Sequence, residues 1–264
     1  MTGGQDGRQV LGTFPFGEPL RAVVQRDRQA KQLFVLGVYA SAVHATWLDA
    51  QGKTLIRALA VASEPSIFWD GRDAAGIIAR ISLPKGSGSL RPASHSLNGP
   101  SGRALDDHFL TPLGRSRGDS WLCDLVPHTC MNPSQARALA REYVPRATKF
   151  NFPDVKLPPV PREFADAQRQ EAILAELEES RAETIVLLGD EPIRHWLKRF
   201  DSRWGALSDF VKVDSDYGLP RETTIAGRGY NVLALVHPRQ AAALGAHSQM
   251  WRARHENWRV RVQP

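Results

Sequence analysis

Thr184-Ile185-Val186-Leu187-Leu188-Gly189 (TIVLLG) is a short apolar run closed by glycine and followed by Asp190-Glu191-Pro192. A run of this length and composition reads as a strand buried on both faces, as in a parallel sheet. Three further segments have the same character: Gln32–Gly37 (QLFVLG), Trp121–Val126 (WLCDLV) and Asn231–Val236 (NVLALV), the last leading into His237-Pro238. Helical patterns lie between and after them. Arg162–Ala182 has an apolar stripe at helical spacing. Ile193–Phe200 (IRHWLKRF) follows Pro192, a good first-turn residue. A last helix is expected over Ser248–Trp258, carrying Met250, Trp251, Arg252 and Arg254. Strands alternating with helices predict an α/β fold around a central, mostly parallel four-stranded sheet, with ligands at the strand carboxyl ends. Pro84–Gly118, rich in Gly, Ser, Pro and Arg, is expected to be a long loop or insertion. Phe152–Pro161 holds four prolines and should be extended. With no repeat and no linker, residues 1–264 are expected to form a single domain.

Composition narrows the class. The 264 residues are 42% hydrophobic and 23% charged, ordinary values for a chain that buries a core. No stretch approaches the apolar length that spans a bilayer, and the start MTGGQDGRQV lacks the apolar core of an export signal. A soluble, cytoplasmic monomer with no membrane partner is therefore expected. The two cysteines, Cys123 and Cys130, are too few for a four-cysteine zinc or iron–sulfur site and are expected to be reduced. Neither a metal nor another cofactor is expected. The net charge is +6, and its excess is local: residues 192–264 hold 12 Lys/Arg against 6 Asp/Glu. That asymmetry fits either a basic face drawn to a polyanion such as DNA or a generic basic surface.

Each apolar run ends in a distinctive cluster: Gly37-Val38-Tyr39-Ala40-Ser41-Ala42-Val43-His44, Asp124-Leu125-Val126-Pro127-His128, Gly189-Asp190-Glu191-Pro192 and His237-Pro238-Arg239-Gln240. In this order, over residues 32–258, they resemble the uracil-DNA glycosylase superfamily. The resemblance implies a three-layer α/β sandwich that flips a nucleotide out of DNA and hydrolyses its N-glycosidic bond. It also implies a Gly-led loop after the first strand that activates water, a polar residue on the second strand that reads the base, and a His-Pro loop after the fourth.

On that resemblance His237 is the candidate donor that stabilises the departing base, because the leaving group gains negative charge as the bond breaks. Asp124 stands where uracil enzymes carry the base-reading Asn. As a carboxylate it only accepts hydrogen bonds, which suits the exocyclic amine of cytosine better than a uracil carbonyl. Ser41, beside Ala40 and Ala42, stands where those enzymes carry a ring that crowds the pyrimidine 5-position. Small residues there imply room for a 5-substituent. Tyr39 occupies the position of the usual water-activating acid and is a poor base. Glu64, Asp70 and His44 are the candidate groups for orienting water, with backbone carbonyls or the dissociative character of the reaction itself as the alternatives. Phe68 or Trp69 is the candidate for stacking on the flipped base. Arg239 and Gln240 are expected to fill the vacated duplex position, and Arg252 and Arg254 to meet phosphates. The expected activity is that of a monofunctional glycosylase acting on a modified cytosine, such as the glucosylated hydroxymethylcytosine of phage DNA, in antiviral defence. Repair of uracil or another deaminated base, and a catalytically silent DNA-binding module, are the alternatives.

Overall fold

The computed structural model describes residues 9–245 and 247–262. Most of the stretch read for an export signal, residues 1–8, lies outside the described residues. In chain order the strands are β1 (Val10–Thr13), β2 (Pro19–Arg21), β3 (Leu33–Tyr39), β4 (Ala42–Leu48), β5 (Thr54–Ser63), β6 (Ser89–Pro92), β7 (Ser120–Val126), β8 (Thr184–Leu188), β9 (Arg221–Ile225) and β10 (Arg228–Leu235). The chain divides into two compact units. One takes residues up to 24, 40–100 and 127–162; the other takes 25–39, 101–126 and 163 onward.

The second unit holds the central sheet, in the order β7-β3-β8-β10-β9. The neighbouring pairs β3/β7, β3/β8 and β8/β10 are parallel. These are the four apolar runs of the sequence; β3, β7 and β8 are almost wholly buried, as strands of a parallel sheet are, and β10 is buried from Val232 to Leu235. The molecule is thus mixed α/β with a mostly parallel sheet. The expected count of four strands is corrected to five. β9 (RETTI) adds an antiparallel edge to β10 through a two-residue turn, with Ala226 and Gly227 both at positive φ. Its charged and hydroxyl side chains suit an edge strand, and for the same reason they give no apolar run to read.

The helix Ala167–Ser180 covers one face of β7. The Trp121 indole N–H donates to Glu176 (3.0 Å), and Arg169 reaches Cys123 Sγ at 3.1 Å. The helix is shorter than the pattern over 162–182 suggests. Asp166 caps its start by accepting from Arg169 N (2.8 Å), and Arg181 ends it at φ 56°. After β8 a helix begins at Asp190 rather than Ile193, runs to His195 and breaks at Trp196. The last helix spans Gln249–Val262.

The first unit is built on antiparallel pairs: β1 with β2, and a sheet in the order β5-β4-β6. Its core gathers Phe16, Trp47 and Tyr143, with Phe16 edge-on to both other rings at 5.2 and 5.3 Å. The segment 84–118, expected to be a long loop, contains β6, the helix Pro100–Leu105 and the start of a helical turn at Arg117.

Candidate functional site

From β3 the chain crosses to β7 on one side and then returns to β8 on the other. That reversal places the crevice of an open α/β sheet beyond the carboxyl ends of β3 and β8. Tyr39 ends β3, Gly189 follows β8, and Val236-His237 follow β10. β7, on the far side of β3, carries Asp124.

Asp124 is 3% exposed. Side chains alternate across a strand, so Trp121 and Cys123 take the face under the helix Ala167–Ser180, and Asp124 points to the other face with Leu122 and Val126. Its neighbour on β3 is Gly37, which places no side chain beside the carboxyl. Burial, only partly offset by the Arg169 guanidinium, pushes the Asp124 carboxyl up to about 7. Near neutral pH the group is therefore protonated in part and can donate as well as accept.

His237 caps the short helix Pro238–Ala241, its Nδ1 accepting from Arg239 N at 3.2 Å. With Nδ1 accepting, the proton of the neutral ring sits on Nε2, which becomes a donor. Burial, and then the positive charge of Arg239, lowers its pKa to about 4, so the ring is neutral at physiological pH. The His237 backbone and Cβ lie against Gly189, which has φ 94° and ψ −173°. A Cβ built there would stand 3.3 Å from His237 Cβ. Behind this loop runs a buried polar chain. Val236 N donates to the Tyr217 hydroxyl (3.0 Å), which meets His255 Nδ1 (2.8 Å), and His255 Nε2 meets the His108 carbonyl (3.0 Å). Since only Nε2–H can donate to that carbonyl, Nδ1 accepts and the Tyr217 O–H donates to it. Burial holds His255 neutral, lowering its pKa to about 3. The chain ties the end of β10, and with it His237, to the last helix.

Tyr39 is 41% exposed and stacks on Phe164 at 6.5 Å, with ring planes 16° apart. Phe164 in turn lies 5.2 Å from the His195 ring, and His195 Nε2 pairs with Glu191 Oε2 at 3.1 Å. This pair is not among the residues that the sequence singles out. The available signal was the four-residue spacing of Glu191 and His195 after Gly189, which sets both on one helix face.

The expected DNA contacts divide. Arg239 is exposed and, like Arg252, has no ion-pair partner among the described residues. Gln240 is occupied within its own loop, donating to Ser248 O (2.7 Å) and accepting from Ser248 N (2.9 Å). Arg254 pairs with Asp214 at 2.7 Å and lies over the Trp251 ring at 4.8 Å.

The remaining candidates belong to the first unit. Gly37 lies inside β3, and only Ala40 and Ser41 separate β3 from β4, so the expected Gly-led loop is corrected to a two-residue link. His44 sits within β4. Its Nδ1 meets Ala42 O (2.9 Å), its backbone is held on both sides by Asn98, and burial lowers its pKa. Glu64 is buried and accepts from Ser41 N at 3.1 Å. Asp70 accepts from Arg72 N at 3.0 Å within a tight turn. Trp69 belongs to the hydrophobic core and donates to Arg72 O at 2.8 Å. Phe68 has φ 52°, an unusual conformation for a bulky residue and a place to look for function. Among the described residues no three His, Cys, Asp or Glu side chains stand together as a metal ion would require, and no helix is long and apolar enough to cross a membrane.

No family model matches the chain, and no curated protein sequence matches it.

Proposed function

We propose that the chain is a metal-independent DNA glycosylase that removes a flipped base, with a 5-substituted cytosine as its preferred substrate and defence against modified phage DNA as its role. One observation carries the reading: a buried carboxyl able to donate and accept lies on β7, and a neutral imidazole N–H donor follows β10, on either side of the crevice beyond β3 and β8. β7 and β10 are three strand spacings apart, about 14 Å. A nucleoside and two side chains span such a distance. The protonated Asp124 carboxyl complements cytosine at two points, donating to N3 and accepting from the N4 amine. His237 Nε2–H would stabilise charge on the departing base. The assignment of a large 5-substituent rests on the resemblance, through the small residues Ala40 and Ser41 that follow Tyr39.

Repair of uracil is the second reading, favoured by the same proton. A protonated carboxyl also donates to O4 and accepts from N3–H, so Asp124 does not by its charge exclude uracil. The experiment compares uracil-containing DNA, unmodified DNA and phage DNA carrying glucosylated hydroxymethylcytosine, scoring alkali-labile abasic sites. Sites in the phage DNA support the proposal, whereas sites in uracil DNA alone replace it with the repair reading. Salt-sensitive binding with no sites on any substrate makes the chain a silent DNA-binding module.

A further inference from the structure

A group that takes a proton from water assists hydrolysis at C1′, and the residue at the end of β3 is a tyrosine, Tyr39, in place of an acid. The geometry points to His195, held by Glu191, as the base that activates the water, an inference that rests on the glycosylase reading. His195 is the last residue of the short helix that leaves β8, and its ring meets Phe164, which stacks on Tyr39 at the end of β3. The His195 Nε2 lies 3.1 Å from Glu191 Oε2, which leaves Nδ1 as the ring nitrogen away from the carboxylate. Nδ1 has no hydrogen-bond partner among the described residues, and the side chain keeps 18% of its surface accessible. The Phe164 ring, 5.2 Å away, fixes the plane of the imidazole, and Gln170 Nε2 holds the His195 carbonyl at 3.3 Å. A carboxylate beside one ring nitrogen, with the other nitrogen left to take a proton, is the pairing of base and orienter found in hydrolytic triads. Arg194 also binds Glu191, at 3.1 and 3.2 Å, and so fixes the carboxylate while sharing its charge.

The step balances. The water oxygen bonds to C1′ as its proton passes to His195 Nδ1. The C1′–N bond breaks, and its electron pair leaves with the base, which His237 Nε2–H holds. Glu191 stabilises the imidazolium until it loses its proton to solvent, and the base takes a proton from solvent.

The test measures single-turnover excision by wild type, His195→Ala, His195→Gln and Glu191→Gln on whichever of the three DNA substrates wild type cleaves, with thermal melting and DNA affinity determined for each. Both His195 variants should bind DNA and melt as wild type does while excision slows about 100-fold or more. Added imidazole should restore His195→Ala at least tenfold, and Glu191→Gln should fall between. Excision by His195→Ala at the wild-type rate overturns this inference and leaves the glycosylase reading intact. So does a loss that imidazole does not rescue in two well-folded variants. Wild type that cleaves none of the substrates overturns both.

Discussion

Asp124 keeps its proton at pH values where a free aspartate has lost it. Its folded-state pKa of about 7 lies above the ordinary 3.8, so the folded chain binds the proton more tightly than the unfolded chain. The associated stability is complete below the unfolded value and is lost as pH rises through about 7, a swing of at most about 4 kcal/mol. Wild type should therefore lose melting temperature between pH 5 and 9 relative to Asp124→Asn; parallel melting curves across that range would refute the assignment. The same variant should move base preference toward uracil by about tenfold, the cost of one mismatched buried hydrogen bond. At His237 the charge argument has the opposite sign. With a pKa of about 4 the ring is already neutral from pH 5 upward, so it should impose no rate change between pH 5 and 8. His237→Ala should lower the excision rate by about 100- to 1,000-fold at unchanged DNA affinity, as loss of one anion-stabilising donor does.

At the scale of elements, Gly189 is the hinge on which the site's geometry depends. Its φ and ψ suit glycine alone, and a methyl group there meets His237 Cβ. Gly189→Ala should cost about 1–3 kcal/mol in urea unfolding and slow excision more than it weakens DNA binding. An unperturbed excision rate would separate Gly189 from the site. The four parallel strands could be read from the chain because burial on both faces leaves an uninterrupted apolar signature. β4 and β5 escaped, since Ala-rich β5 (TLIRALAVAS) alternates imperfectly and its pairing with β4 shifts register in three places. Helix limits were set by single capping residues, Asp166 and Arg181, which periodicity does not reveal. Asp124 and His237 stood out because a polar residue inside or just after an apolar run must be explained. The pairing of Glu191 with His195 did not, because spacing along one short helix gains meaning only once Phe164 and Tyr39 are folded beside it.

For the whole molecule, the surplus of arginine near the carboxyl end overstates the charge available to a polyanion. Arg194, Arg199, Arg203, Arg221, Arg254 and Arg259 are each committed to a carboxylate. Arg239 and Arg252 are not. Replacing either by Ala should reduce the slope of log affinity against log salt by about one unit, whereas Arg254→Ala should change it by less. Equal slopes for wild type and all three variants would exclude these residues from the interface.

The alternation of segments between the two compact units has a consequence for synthesis. β3 is made about 150 residues before its central partner β8, a wait of roughly 8–30 s at ordinary elongation rates. Until then LFVLGVY has no finished sheet to enter. The nascent chain must shelter this segment, and a stop codon placed anywhere before β10 yields a polypeptide whose central sheet is incomplete.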